Sequence, residues 1–474
     1  MLSRSHILRA AIIAGCFVLS HHSFGQSVGD VFVIDMENND WNTPQGESSY
    51  TAIDGDSTDA PFINSLISTS STVNPAYKQV SYANQYHNDY DTNSTTSQTD
   101  PNIHPSCPNY VWQEAGSNFS VNNDNDPYGS GGNVATISNY LAGNNTNLNG
   151  TTPDGQNLSG LLQNAGISWK SYQEDTGLLN TSGLAFNEYT SGTNPATPGT
   201  TGTAVLTNNV ASSSQQTVPL SSFSGSSASY TNAYNGTHSY NFACKHDGQL
   251  YFADTNGGDV TGTNNTEASH YEALQSLSSD LTNNTVGRYN LITPDQYNDM
   301  HTGLGSWTDP ETGHHYSSTS DAEQIAQGDN FLSIVVPEIM ASQAYQNNGA
   351  IVLWTDETEG THNDSTDTLM EIVISKLSKG STTGGGVYSD TLNFDHSSDV
   401  ATFQEIYGVA ANTPSGYLNN ASTGLQAGSQ DLSDLFVPGT ITQAVPEPGS
   451  IAAILMGAAS LLVWGSKRRR SFSR

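Results

Sequence analysis

Two short apolar runs each end on a cluster of oxygen donors. Asp30-Val31-Phe32-Val33-Ile34 leads into Asp35, Glu37 and Asn38, and Ala350-Ile351-Val352-Leu353-Trp354 leads into Asp356, Glu357 and Glu359. Carboxylates and amides are hard oxygen ligands that suit a divalent cation. Histidines could add imidazole ligands or carry protons: His104, His246, His301 with Asp299 two residues before it, and His396 beside Asp395. Oxygens and imidazoles with few thiols describe a metal-assisted hydrolase better than a redox centre. On pattern alone, a strand ending in Asp and Glu is usually just a solvated loop. Ser106 lies in His104-Pro105-Ser106-Cys107-Pro108-Asn109-Tyr110, where two prolines restrict the local path. A cation beside its hydroxyl could make it an attacking alkoxide; an ordinary Pro-Ser turn is the alternative. No Gly-x-Ser-x-Gly elbow surrounds Ser106, and there is no Walker loop or dinucleotide fingerprint.

These residues need elements to hold them. Residues 30–34, 350–354 and 371–374 are apolar runs of buried-strand length, and Ile167 to Tyr172 is strand-like. Pro61 to Ile67 can begin a helix with proline in its first turn. Leu161 to Ala165 reads as the end of a helix before Gly166. Phe331 to Tyr345 places Phe331, Ile334, Val335, Ile339 and Met340 on roughly one helical side, with Pro337 in its middle. Strands this apolar, separated by helices, predict an α/β fold with a mostly parallel sheet covered on both faces. Ligands in such sheets collect beyond the carboxyl ends of the strands, where the polar clusters fall. Three stretches rich in Asn, Ser, Thr and Gly, about 118–160, 177–237 and 255–287, read as long polar surface insertions.

Charge narrows the partners. The 474 residues carry 13 Lys plus Arg against 45 Asp plus Glu, a formal net of −32, and residues 27–446 hold only 6 of those bases against 44 of the acids. Such a surface repels polyanions, so nucleic acid is not an expected partner. The remaining bases sit at the ends. Arg4 and Arg9 precede an apolar run from Ala10 to Leu19, which reads as a signal peptide over residues 1–26 that carries Cys16 away with it. Residues 27–430 then form the main domain with its insertions, and residues 431–445 a linker. Residues 446–474 contain Pro446-Glu447-Pro448, an apolar run from Ile451 to Trp464 and the basic Lys467 to Arg470. This tail resembles a PEP-CTERM sorting signal with a short transmembrane helix. That resemblance implies export to the cell surface or medium, transient inner-membrane association, and an exosortase-type processing protease as partner.

Eight segments in order over about residues 30–410 resemble one enzyme family. They are Met36-Glu37-Asn38, His104 to Tyr110, Gly166 to Glu174, Lys245-His246, Asn298-Asp299-Met300-His301, Gly328 to Leu332, Trp354-Thr355-Asp356-Glu357 and Asp395-His396-Ser397-Ser398. The chain is similar to the metal-dependent phosphoesterases that include acid phosphatases and phosphocholine-type phospholipases C, built on an alkaline-phosphatase-like fold. The resemblance implies a divalent metal ion held by Glu37, Asn38, Ser106, Asp356 and Glu357, with Ser106 as nucleophile. It places His246 and His301 toward the phosphate or the leaving group. His104 and Asn109 shape the turn and bond a phosphate oxygen, and His396 handles protons or supports the site from behind. The expected substrate is a small phosphate monoester. A phospholipid head group cleaved by a phospholipase C-type relative, or a catalytically silent surface protein, are the other readings. Asn39-Asp40 and Cys107 depart from the family pattern, and Arg288 is the one arginine between the tags that could clamp an anion. Cys107 and Cys244 flank Ser106 and His246 closely enough in sequence for a disulfide joining the two segments to be expected.

Overall fold

The computed structural model describes residues 27–42, 50–70, 77–88, 104–118, 124, 157–176, 222–226, 228, 230–256, 266–310, 313–359, 368–411, 416–418 and 430–441. The expected signal peptide, the sorting tail, Cys16 and most of the first two polar stretches lie outside these residues. Among the described residues no helix is long and apolar enough to cross a membrane.

Eight strands form one sheet: β1 (Val31–Met36), β2 (Val80–Ala83), β3 (Trp169–Gln173), β4 (Tyr271–Ala273), β5 (Tyr289–Thr293), β6 (Ala350–Thr355), β7 (Glu371–Ser375) and β8 (Val387–Asp390). Their spatial order is β8-β2-β7-β6-β1-β5-β3-β4. Only β7 runs against its neighbours β6 and β2; the other pairings are parallel. Every residue of β1, β5, β6 and β7 is buried. Strands buried on both sides need apolar residues at nearly every position, which is why their sequences run apolar rather than alternate.

The pleat divides the core into two halves. Val31 and Val33 join Leu291, Val352 and Val373 beneath helices α2 (Cys107–Ala115), α3 (Leu158–Asn164) and α6 (His396–Tyr407). Phe32, Ile34 and Met36 join Ile292, Leu353 and Ile372 beneath α1 (Pro61–Ile67), α4 (Leu277–Asn283) and α5 (Asp321–Ala341). The result is the mostly parallel sheet with helices on both faces that the sequence predicts.

Helix α1 starts on Pro61 and receives no cap from Ala60. Asp329 of α5 takes that role, accepting the Phe62 N–H at 2.9 Å and the Ile63 N–H at 2.8 Å. Helix α5 spans 21 residues, beginning ten residues before its apolar stripe, and continues through Pro337. It stops at the extended backbone of Ser342, which caps the next short turn through the Tyr345 N–H.

Three boundaries differ from expectation. Much of residues 255–287 belongs to the packed fold: β4 extends the sheet, and Leu274, Leu277 and Leu281 are buried. Residues 222–237 likewise contribute buried Tyr230 and Tyr234. A few large side chains spaced among polar ones suffice to anchor these segments, which composition averages hide. The described part of the expected linker, residues 431–441, also packs, because Leu432, Leu435 and Phe436 enter the core and Phe436 bridges to Ser378.

Candidate active site

The parallel ladder between β1 and β6 pairs Met36 with Thr355, so Glu37 and Asp356 leave adjacent strands side by side. The ladder runs one step further, with the Asp356 N–H donating to the Met36 carbonyl at 3.1 Å and the Asn39 N–H to the Glu357 carbonyl at 3.2 Å. The Glu37 N–H donates to the Asp299 carbonyl at 2.7 Å, which brings in the loop after β5. Position 37 shares parity with Val31 and Val33, so its side chain faces α2.

Ser106 stands immediately before α2, and its hydroxyl caps no backbone N–H. It lies instead 3.0 Å from Glu37 Oε2 and 3.1 Å from Glu357 Oε1, either of which can accept its proton. One turn along, Asn109 donates to Glu357 Oε2 at 2.9 Å and the Tyr110 hydroxyl donates to Glu37 Oε1 at 2.7 Å. His104 Nδ1 is 2.9 Å from Glu357 Oε1. His246 Nε2 is 3.1 Å from Glu37 Oε1, and its ring stacks on Tyr110 with centroids 4.8 Å apart. Its Nδ1 is 3.8 Å from Asp299 Oδ2.

Glu37 therefore belongs to two groups of close ligand atoms, one with Asp356 and Glu357 and one with His246 and Asp299. All five residues are buried. Asp299 Oδ2 meets no hydrogen-bond donor, and the Asp356 oxygens have at most the nearby Ser106 hydroxyl. Buried carboxylates without donors or cations are strongly unfavourable, so this set fits a divalent ion with hard oxygen ligands.

The charges of the site are uneven. Burial pushes the Asp356 carboxyl well above its usual range, and the neighbouring Glu37 and Glu357 push it further. Burial likewise raises Glu357 to about 7 against the opposing pull of His104, and drives Asp299 well up. Glu37 goes the other way: burial alone would raise it, but His246, His301, Lys245 and the Tyr110 hydrogen bond together bring it down. Burial lowers His246 to about 4 against the opposing pull of Glu37.

Asn38 and His301 occupy other positions, and His396 takes the supporting one of its two expected roles. The Asn38 amide donates to Glu359 Oε2 at 3.3 Å. His301 is exposed; its Nδ1 is 3.2 Å from the Thr302 hydroxyl, and its charge acts on Glu37 and His246. His396 opens α6 with a buried ring behind Asp356. Its Nε2 is 2.8 Å from the Asp356 carbonyl, and its Nδ1 is 3.2 Å from Trp354 Nε1 and 3.0 Å from the Tyr86 hydroxyl. The indole N–H can only donate, which makes Nδ1 the acceptor and puts the proton on Nε2. Burial lowers this ring to about 3. With both nitrogens engaged, His396 holds the Asp356 backbone and has no open position for proton transfer.

Arg288 cannot clamp an anion here. It precedes β5 at the amino ends of the parallel strands, where it pairs with Asp30 at 2.9 Å. The expected disulfide between Cys107 and Cys244 is not formed. Cys107 turns its sulfur to the Tyr251 hydroxyl at 2.9 Å, while Cys244 packs into the core below α2. Closeness in sequence to two site residues did not bring the sulfurs together, because the segments meet through Glu37, Tyr110 and His246.

No family model matches the chain, and no curated protein matches it. Two solved structures show a weak likeness. One is Ps i-CgsB in complex with k-i-k-neocarrahexaose, with a TM-score of 0.38 and 11% identity over 81% of this chain and 73% of that one. The other is a protein in the alkaline phosphatase superfamily from Vibrio parahaemolyticus, with a TM-score of 0.34 and 12% identity over 82% of this chain and 69% of that one. At that level neither assigns an activity.

Tyr110 has no place among the expected site residues, although its i+4 spacing from Ser106 puts both on one helical face. Asp299 stands out in sequence only as a neighbour of His301. Its true place follows from the Glu37–Asp299 backbone contact, which no local pattern displays. The buried cluster of Glu174, Asp175 and Asp295 was also missed, because its members come from different strand ends.

Proposed function

We propose that this protein is a metal-dependent ester hydrolase that cleaves phosphate monoesters through Ser106. The observation that carries this reading is the Ser106 hydroxyl, buried at a helix start and held 3.0–3.1 Å from two carboxylates. Glu37, Asp356 and Glu357 would hold the divalent ion, with Ser106 beside them and His246 and Asp299 available on the other side of Glu37. When bound, the ion supplies positive charge that lowers the proton affinity of the hydroxyl and stabilises charge on a transferred phosphoryl group.

The chain's own residues account for the remaining steps. Glu357 is within reach of the Ser106 proton, and His104 on the same oxygen can share it. The Ser106 Oγ–P bond then forms as the bond from phosphorus to the leaving oxygen breaks in line. Solvent or the exposed His301 returns a proton to the departing alkoxide. Water attacks the serine phosphate and releases inorganic phosphate with Ser106 restored. Tyr110 and Asn109 keep Glu37 and Glu357 in place, and His396 fixes Asp356 from behind. Such alignment matters because misplacement by about 1 Å can cost two orders of magnitude in rate.

The test compares nitrophenyl phosphate, bis-nitrophenyl phosphate, a phosphocholine ester and nitrophenyl sulfate, each with and without chelator. Chelator-sensitive turnover highest on the monoester is expected. Preference for the phosphocholine ester would mark a phospholipase C-type enzyme, and preference for the sulfate a sulfatase. No turnover on any ester after metal loading would overturn the hydrolase reading. Export, trimming by an exosortase-type protease and transient inner-membrane association belong to the same proposal. They rest on the terminal motifs and are checked by the mass of the mature protein.

A further inference from the structure

We propose that Glu174, Asp175 and Asp295 form a second cation site, separate from the Ser106 centre, that takes a hard divalent ion such as calcium. The three carboxylates follow β3 and β5 at the carboxyl edge of the sheet, fully buried, with ligand oxygens within 4.8 Å of one another. That span is what an ion with oxygen ligands at about 2.4 Å accommodates.

The polar contacts leave one gap. Glu174 Oε1 accepts from the Asn232 amide at 2.6 Å and the Asn298 amide at 2.7 Å, and Oε2 accepts the Asp295 N–H at 2.8 Å. Asp175 accepts from the Tyr230 hydroxyl and, at 2.9 Å, from the Asn241 N–H. Asp295 Oδ1 accepts the N–H groups of Tyr297 at 3.0 Å and Asn298 at 2.9 Å. Asp295 Oδ2 is buried with no donor, although its carboxyl faces that of Asp175.

Two ionised carboxyl groups cannot donate to each other, so a proton or a cation must lie between them. One proton satisfies that pair but leaves the cluster negatively charged in the interior. Among the described residues, the charged groups that act most strongly on these three are carboxylates. Burying uncompensated charge costs several kcal/mol per ion on typical estimates. A divalent ion offsets it, and the all-oxygen donor set selects calcium or magnesium over softer metals. The donors already on Glu174 and Asp175 fix the carboxylates in place, as outer partners do at metal sites. This site needs no assumption about the reaction at Ser106.

Equilibrium dialysis of the full chain against micromolar calcium tests it, with bound calcium counted in wild type, Asp295→Asn and Asp356→Asn. Asp295→Asn should lose one equivalent that Asp356→Asn retains, and its melting temperature should rise less on adding calcium. Should Asp295→Asn fail to fold, Glu174→Gln is read in the same way. Full retention of calcium in Asp295→Asn or, where that fails to fold, Glu174→Gln overturns the site. So does a protonated-carboxyl infrared band at pH 7 in calcium-saturated wild type that Asp295→Asn removes. Loss of the Ser106 chemistry alone leaves these counts unchanged, so the two readings fail separately.

Discussion

The Ser106 hydroxyl caps nothing at the start of α2, and its two partners are the acceptor oxygens of Glu37 and Glu357. Ser106→Ala removes an oxygen without enlarging an apolar void, so melting should change little while turnover falls by more than tenfold. A rate assay with a thermal melt on the metal-loaded variant measures both. Activity above about a tenth of wild type would point to attack by water instead. Cys107 offers a second check at this scale. With its sulfur on Tyr251 rather than Cys244, reductant should leave the melting temperature unchanged. Alkylation of the unfolded, unreduced protein should label both residues, as mapped by mass spectrometry; protection of the pair would restore the disulfide.

At the scale of elements, α2 carries Asn109 and Tyr110 with Ser106 at its start, and its placement depends on the turn at Gly248–Tyr251 packed against it. A Cβ on Gly248 would collide with the Tyr110 carbonyl oxygen, a backbone atom that cannot swing aside. Gly248→Ala should therefore cost about 1–3 kcal/mol of stability and lower kcat by shifting the nucleophile. Unchanged melting and turnover would show that the turn is slack. Asp329, which ties α5 to α1, has its carboxyl raised by burial from 3.8 to about 7. The folded state thus binds this proton more tightly than the unfolded chain does. Its contribution is complete below about pH 4 and is lost as pH rises through 7. Asp329→Asn should flatten that part of the stability profile, read as denaturation midpoints across pH 4–8.

The whole molecule repeats this pattern. Burial raises Glu114, Asp247 and Glu357 to about 7 and Glu174 and Asp399 to about 8, on a chain of net −32. Each of these groups favours the folded state at low pH and opposes it as pH rises through its folded value. The chelated protein should accordingly melt higher at pH 5 than at pH 8. A divalent ion should narrow that gap, because it favours the same carboxylates deprotonated. Melting curves at both pH values, with and without chelator, decide this; a chelated protein more stable at pH 8 would contradict it.

The sequence by itself determined the α/β class, since apolar runs of strand length separated by helical segments favour a covered, mostly parallel sheet. It also determined that Glu37, Asp356 and Glu357 stand just past strand ends, because apolar runs stop where the chain leaves the sheet. Ser106 was legible through its proline-bounded segment. What it could not determine was which strands are neighbours. The β1–β6 pairing that sets Glu37 beside Asp356 joins residues more than three hundred positions apart. That pairing, and the β3–β5 pairing that gathers Glu174, Asp175 and Asp295, are properties of sheet order. The same holds for His396, which in sequence suits either proton handling or support of the site and becomes a buried brace only when Trp354 and the Asp356 carbonyl enclose its two nitrogens. Local chemistry is written in residue types and spacing. Long-range register and desolvation are fixed by packing, and these decided which carboxylates share a site and which histidines can act.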